Sequence, residues 1–84
     1  MKRHIALHNR TYTIVLEPAE EGGFVVHVPA LPEIVTEGDT EAEAIAMAKD
    51  AIELVLESRA ERGEPIPEET IEPLIHKVTV AVAA

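Results

Sequence analysis

Cysteine is absent from the chain, which excludes thiol nucleophiles, disulfide staples and cysteine-ligated zinc, and fits a cytoplasmic protein. Basic residues are scarce, with 7 Lys and Arg against 16 Asp and Glu for a formal charge of −9. Those bases are scattered from Lys2 to Lys77 without forming a stripe, so no run of phosphates is neutralised and direct DNA binding is not expected. Long apolar runs are also missing. The opening MKRHIALHNRTY is too polar for a signal peptide, and no segment is long enough to span a membrane. Serine occurs once, as Ser58 beside Arg59, with no neighbouring base to make it a nucleophile. One asparagine and no glutamine fit a thermophilic source or a GC-rich genome.

What remains is the composition of one globular domain, residues 1–84, with 46% hydrophobic and 27% charged residues. A domain of this size buries a modest share of its surface, so association between subunits is expected. The acidic balance either keeps the protein soluble or steers a basic partner toward it.

Along the chain, Ile5–Leu7 and Tyr12–Leu16 alternate out of phase. A tight turn at His8-Asn9-Arg10 resets the phase most simply and predicts two hairpin strands; a bulge in one long strand is the rival reading. Glu17–Gly23 reads as a loop, because Pro18 cannot donate to a ladder and Gly22-Gly23 permits a return turn. Phe24–Val28 is rich in β-branched residues and reads as a strand, with His27 on the face opposite Val26 and Val28. The stretch VPALPEIVTEGDT follows, with a short strand at Ile34-Val35-Thr36 between proline and glycine stops. It reads mainly as punctuation.

From Thr40 the period changes to that of a helix. Ile45, Ala48, Ile52 and Val55, joined by Ala44, Met47, Ala51 and Leu54, make a wide apolar stripe. Thr40 and Glu43 have the spacing of a capping box, and Gly63 followed by Pro65 stops the helix. Glu64–Pro73 is a Pro- and Glu-rich linker. Lys77–Val82 alternates again, with Val78, Val80 and Val82 on one face, and reads as a half-buried strand. The fold class is therefore α+β: a small antiparallel sheet with one amphipathic helix on one face, in the order β-β-β-β-α-β. The uncovered face and the valine-rich last strand predict at least a dimer, with Val78, Val80 and Val82 at the subunit interface.

The inventory for chemistry is thin. His4, His8, His27 and His76 have no metal-ligand spacing, the pairs Glu20-Glu21 and Glu68-Glu69 fall in predicted loops, and Gly22-Gly23 lacks the helix that would aim amides at a phosphate. No catalytic residue, metal or cofactor is expected.

An ordered set of short motifs carries more information: Tyr12–Glu17, Glu20-Glu21-Gly22-Gly23-Phe24, Val28-Pro29-Ala30-Leu31-Pro32, Thr36–Thr40, Glu43-Ala44 and Gly63-Glu64-Pro65-Ile66-Pro67. Over Tyr12 to Val82 this pattern resembles the HicB antitoxin family. The resemblance implies a partial RNase H-like fold and a non-enzymatic protein. It also implies a small basic HicA-like partner, an mRNA-cleaving toxin with a double-stranded-RNA-binding-like fold, whose RNA-cutting surface is covered. Glu20, Glu21, Glu37 and Asp39 are the acids expected to meet such a partner. Two departures stand out: Glu33 replaces the glycine usual after Leu-Pro, and the sequence ends at Ala84 where many members continue into a DNA-binding segment. The competing readings are an orphan oligomeric scaffold without a toxin and a hydrolase working through clustered glutamates.

Overall fold

A computed structural model describes residues 9–69 and 73–83. Three strands form an antiparallel meander in the order β1-β2-β3: β1 is Val15–Pro18, β2 is Phe24–His27 and β3 is Val35–Gly38. Val26 pairs with Leu16 on one side and Thr36 on the other, and Val25 with Glu17 and Glu37. Side chains alternate across a pleat, so Leu16, Phe24 and Val26 turn toward the single helix α1, Glu41–Glu61, while Val15, Glu17, Val25, His27, Val35 and Glu37 share the open face.

The two-layer α+β class matches the sequence expectation, but strand boundaries and count differ. The predicted strand Ile5–Leu7 lies outside the described residues. The strand expected at Tyr12–Leu16 is instead β1, three residues later, and it includes Pro18, which is tolerated because β1 is an edge strand among the described residues. Tyr12 and Thr13 are drawn out of the ladder by the linker beyond α1. The Thr13 amide donates to Glu69 Oε1 at 2.6 Å and the Thr13 hydroxyl to Glu69 Oε2 at 2.7 Å, while the Tyr12 hydroxyl donates to the Pro67 carbonyl.

The helix caps follow the local sequence. Thr40 is extended and its hydroxyl accepts from the Glu43 amide at 3.1 Å. Glu43 reaches back one residue beyond the usual box and accepts from the Asp39 amide at 3.3 Å. At the other end the Gly63 amide donates to Ala60 O and the Glu64 amide to Arg59 O, the paired bonds of a Schellman turn, which Gly63 permits with φ of 67°.

The core is divided in two. Val26, Ala44 and Ala48 form one cluster, with Ile14, Leu16 and Phe24 against it. Val28, Leu31 and Ile34 form the other, under Tyr12, Ala51, Ile52, Val55 and Leu56. Two successive turns, closed by Leu31 N–H to Val28 O and Ile34 N–H to Leu31 O, bring those three side chains inward. VPALPEIV is therefore core as well as punctuation, and Leu31 is among the largest fully buried side chains. The helix stripe is narrower than its period suggested. Alanines occupy the closest approach to the sheet, whereas Leu54 is 68% exposed and Met47 and Ile45 are also exposed.

The largest departure lies beyond the linker. Residues 73–83 carry no strand pairing and no burial, with Val78, Val80 and Val82 exposed by 86%, 72% and 79%. The half-buried strand expected at Lys77–Val82 is an exposed arm with no strand partner among the described residues. The radius of gyration is 17.0 Å and the longest extent 71 Å, against about 12 Å for the radius of a compact chain of this length.

Candidate partner-binding surface

The acids singled out in the sequence are gathered by glycine-mediated packing. The β1–β2 turn is closed by Ala19 N–H to Gly23 O at 3.0 Å and Gly22 N–H to Ala19 O at 3.1 Å, leaving Glu20 and Glu21 exposed at its tip. A side chain at Gly23 would put its Cβ 2.7 Å from the Gly38 carbonyl oxygen, and one at Gly38 would put its Cβ 2.4 Å from the Ala44 amide nitrogen. The turn, the end of β3 and the first turn of α1 are thus stacked backbone against backbone. Glu20, Glu21, Glu37, Asp39, Glu41 and Glu43 consequently lie at one end of the molecule. Between Glu17 and Ala48 the chain has no lysine or arginine, so the segments that build this end contribute no cation of their own.

Those carboxylates keep different amounts of freedom. Glu43 is committed to the helix cap, and acids in the first turn are favourably placed at the positive end of the helix dipole. Glu20, Glu21, Glu37 and Asp39 are exposed. On the adjoining open face of the sheet, Glu17 Oε1 stands 3.6 Å from His27 Nε2. Val15, Val25 and Val35 complete that face, Val35 being 61% exposed. His27 lies opposite Val26, as the alternation requires. Acids around exposed valines make a surface suited to a basic protein with an apolar centre.

Glu33 belongs to the opposite end. Its carboxylate accepts from Arg59 Nη2 at 2.6 Å, which ties the Leu-Pro-Glu turn to the last turn of α1. The hydrogen bond from Arg59 holds the Glu33 carboxyl below the usual carboxylate range and raises Arg59 in turn. No non-glycine residue among those described has positive φ. The glycine usual at this position is therefore not needed here for backbone conformation, and glutamate gains an ion-pair role.

A second feature, the clasp of Glu69 on Thr13 and of the Pro67 carbonyl on Tyr12, has no local sequence signal, because its partners lie 55 and 56 residues apart. Arg10 and Glu68 extend it at 3.4 Å. Beside the clasp a groove of about 520 Å³ opens between α1 and the residues preceding β1, floored by Tyr12, Ile14, Ile45, Ala48, Ile52 and Leu56. Among the described residues no three His, Asp or Glu side chains converge as metal ligands, and no helix is long and apolar enough to cross a membrane.

Comparison with known proteins identifies the family. The sequence profile described as HicB-like antitoxin of bacterial toxin–antitoxin systems matches residues 12–81. Antitoxin HicB 1 of Photorhabdus laumondii is 46% identical over 61 residues, covering 73% of this chain and 39% of that protein. Antitoxin HicB of Escherichia coli K12 is 43% identical over 56 residues, covering 67% of this chain and 41% of its own length. A UPF0150 protein of Thermoplasma acidophilum is 40% identical over 63 residues, covering 75% of this chain and 91% of that protein. The matched region thus spans about two-fifths of the named antitoxins and nearly all of the shorter relative. With the profile covering most of its residues, the chain belongs to the HicB-like antitoxin family.

Proposed function

We propose that this protein is the neutralising member of a toxin–antitoxin pair, a binder and not an enzyme, acting in the cytoplasm on a small basic HicA-type mRNA-cleaving toxin. The observation that carries the reading is the acidic end, where Glu20, Glu21, Glu37 and Asp39 are exposed on segments that contain no lysine or arginine. A toxin that cuts RNA needs a basic surface, and an acidic protein seated there competes with the phosphates for the same cations. Such complementarity acts first on the encounter rate, which steering raises well above the neutral value of about 10⁵–10⁶ M⁻¹s⁻¹. The protein is further read as at least a dimer, with Val78, Val80 and Val82 in the subunit interface. DNA is not a direct partner of these residues, in line with the −9 charge.

The test is stopped-flow binding of a small basic HicA-type toxin, at low and high salt, to the wild type and to a variant with Glu20, Glu21 and Glu37 changed to Gln and Asp39 to Asn. Association slowed by about tenfold or more, with dissociation little changed, is expected. Equal association rates for the two proteins contradict the acidic end as the contact surface. Complete absence of binding leaves the oligomeric scaffold as the surviving reading.

A further inference from the structure

The arm and the groove are two unsatisfied apolar features among the described residues, and they are complementary. Leu74, Ile75, Val78, Val80 and Val82 are all more than 70% exposed. From Lys77 to Val82 the residues alternate valine with Lys, Thr and Ala, the pattern of a strand with one buried face. A strand so patterned gains nothing from water and presents unpaired amides and carbonyls. The groove has the opposite deficiency. Ile45 on its wall is 48% exposed, and Tyr12, Ile14, Ile52 and Leu56 line a space that no described residue fills.

We propose that two copies of this chain exchange their C-terminal arms, each arm lying as an added strand beside the residues leading into β1 of the other copy, with Val78, Val80 and Val82 in its groove. This rests on the dimer reading above and deepens it by naming the exchanged segment and its seat. Three observations choose a second copy over another occupant. The clasp of Glu69 on Thr13 and of Pro67 on Tyr12 fixes the linker beside the groove, while the arm that follows is exposed and does not occupy that groove. Charge favours the arm as the contacting part. In a chain of net charge −9, residues 73–83 contain Lys77 and no acid, so they approach a second acidic copy without repulsion; the groove wall itself carries Glu53 beside Arg10 and Lys49. Reciprocity satisfies both features at once: each copy loses an exposed apolar arm and an open groove, as in segment exchange between protomers generally. Six valine side chains from two arms, with the added strand backbones and the grooves they cover, bring the buried area to the order of 1,000 Å² expected of a specific interface.

The natural absence of cysteine makes the test direct. Light scattering at micromolar concentration is expected to give the mass of a dimer. Ile52→Cys protein, labelled with heavy nitrogen, is then mixed with unlabelled Val80→Cys protein, left to re-equilibrate and treated with a short bismaleimide. A covalent product of mixed mass is expected. The doubly substituted I52C/V80C chain, cross-linked at low concentration, is expected to give covalent dimers and no internally linked monomer. A monomeric wild type overturns both the dimer and the exchange. A dimer that gives no mixed product overturns only the exchange and leaves the sheet face as the interface. An internal link in the doubly substituted chain shows the arm closing on its own groove and likewise overturns the exchange. A third variant, Val80→Glu, keeps the body intact and is expected to shift the dimer to monomer with helical circular dichroism unchanged; an unaltered dimer contradicts the proposal.

Discussion

Gly38→Ala is the sharpest perturbation of the packing on which the acidic end depends. Gly38 has no positive φ, so the substitution is free of the backbone strain that usually makes glycine irreplaceable. The obstacle is contact. An added Cβ would lie 2.4 Å from Ala44 N, 2.6 Å from Ala44 Cα and 2.9 Å from the Glu43 carbonyl carbon, all backbone atoms of the first turn of α1. No rotamer change relieves a clash with backbone, so the helix must lift from the sheet and loosen Ala44 and Ala48, both buried against Val26. Overpacking costs about 1–3 kcal/mol, and three simultaneous backbone contacts belong at the upper end. The lower chain entropy of alanine in the unfolded state returns about 0.4–1 kcal/mol. A net loss of roughly 2 kcal/mol remains, corresponding to a fall in Tm of about 8–16 °C for a domain of this size. Gly22→Ala is the control, because Gly22 has φ of 100° but nothing within 4 Å of its would-be Cβ, and the conformational penalty alone is about 1–2 kcal/mol. Thermal and urea denaturation at one fixed protein concentration measures both variants. A Gly38→Ala protein whose Tm lies within about 2 °C of wild type refutes the close approach of β3 and α1.

Three further outcomes follow from named contacts. Thr40→Ala removes the acceptor for the Glu43 amide and is expected to lower stability by about 1 kcal/mol, read from the urea midpoint. Glu69→Gln replaces a carboxylate that holds both the amide and the hydroxyl of Thr13. Charge-assisted bonds of this kind contribute about 1.5–3 kcal/mol, so faster hydrogen exchange at the Thr13 amide is expected, with the helix amides unaffected. The Glu33 carboxyl is held below its usual range by Arg59, and a group depressed in the folded state contributes stability that is present above its unfolded pKa and lost as pH falls through its folded pKa. Urea midpoints of wild type and Glu33→Gln should therefore differ at neutral pH and converge in acid below the ordinary carboxylate range; a constant difference across pH contradicts the pairing.

The elements most legible in the sequence were those whose signals are local. The helix from Thr40 to Gly63 announced itself by period, by its capping box and by the glycine at its end, and each of those features recurs in the structure. Strand boundaries were less legible because long-range contacts decide them. Tyr12 and Thr13 look like strand residues, but their hydroxyls and the Thr13 amide are held by the linker more than fifty residues away. Leu31 was hidden for a different reason: flanked by Pro29 and Pro32 it reads as a loop, while two tight turns fold it into the core. Glu33 looked like a departure without a purpose, because its partner Arg59 lies 26 residues on. The family resemblance, by contrast, rested on the order of six short motifs, and that order survives uncertainty over any one strand. The acids Glu20, Glu21, Glu37 and Asp39 were separate in sequence, and only the stacking of Gly23 on Gly38 and of Gly38 on Ala44 places them at one end.

The central claim is that this acidic end captures a basic toxin, and calorimetric titration of a small basic HicA-type toxin into the protein tests it most directly, with RNA cleavage followed in the same samples. Saturable binding in the nanomolar range is predicted, weakening as salt screens the opposed charges, with cleavage extinguished at the stoichiometric point. Absence of binding up to about 10 μM, which corresponds to less than roughly 7 kcal/mol of affinity, together with undiminished cleavage, would contradict it.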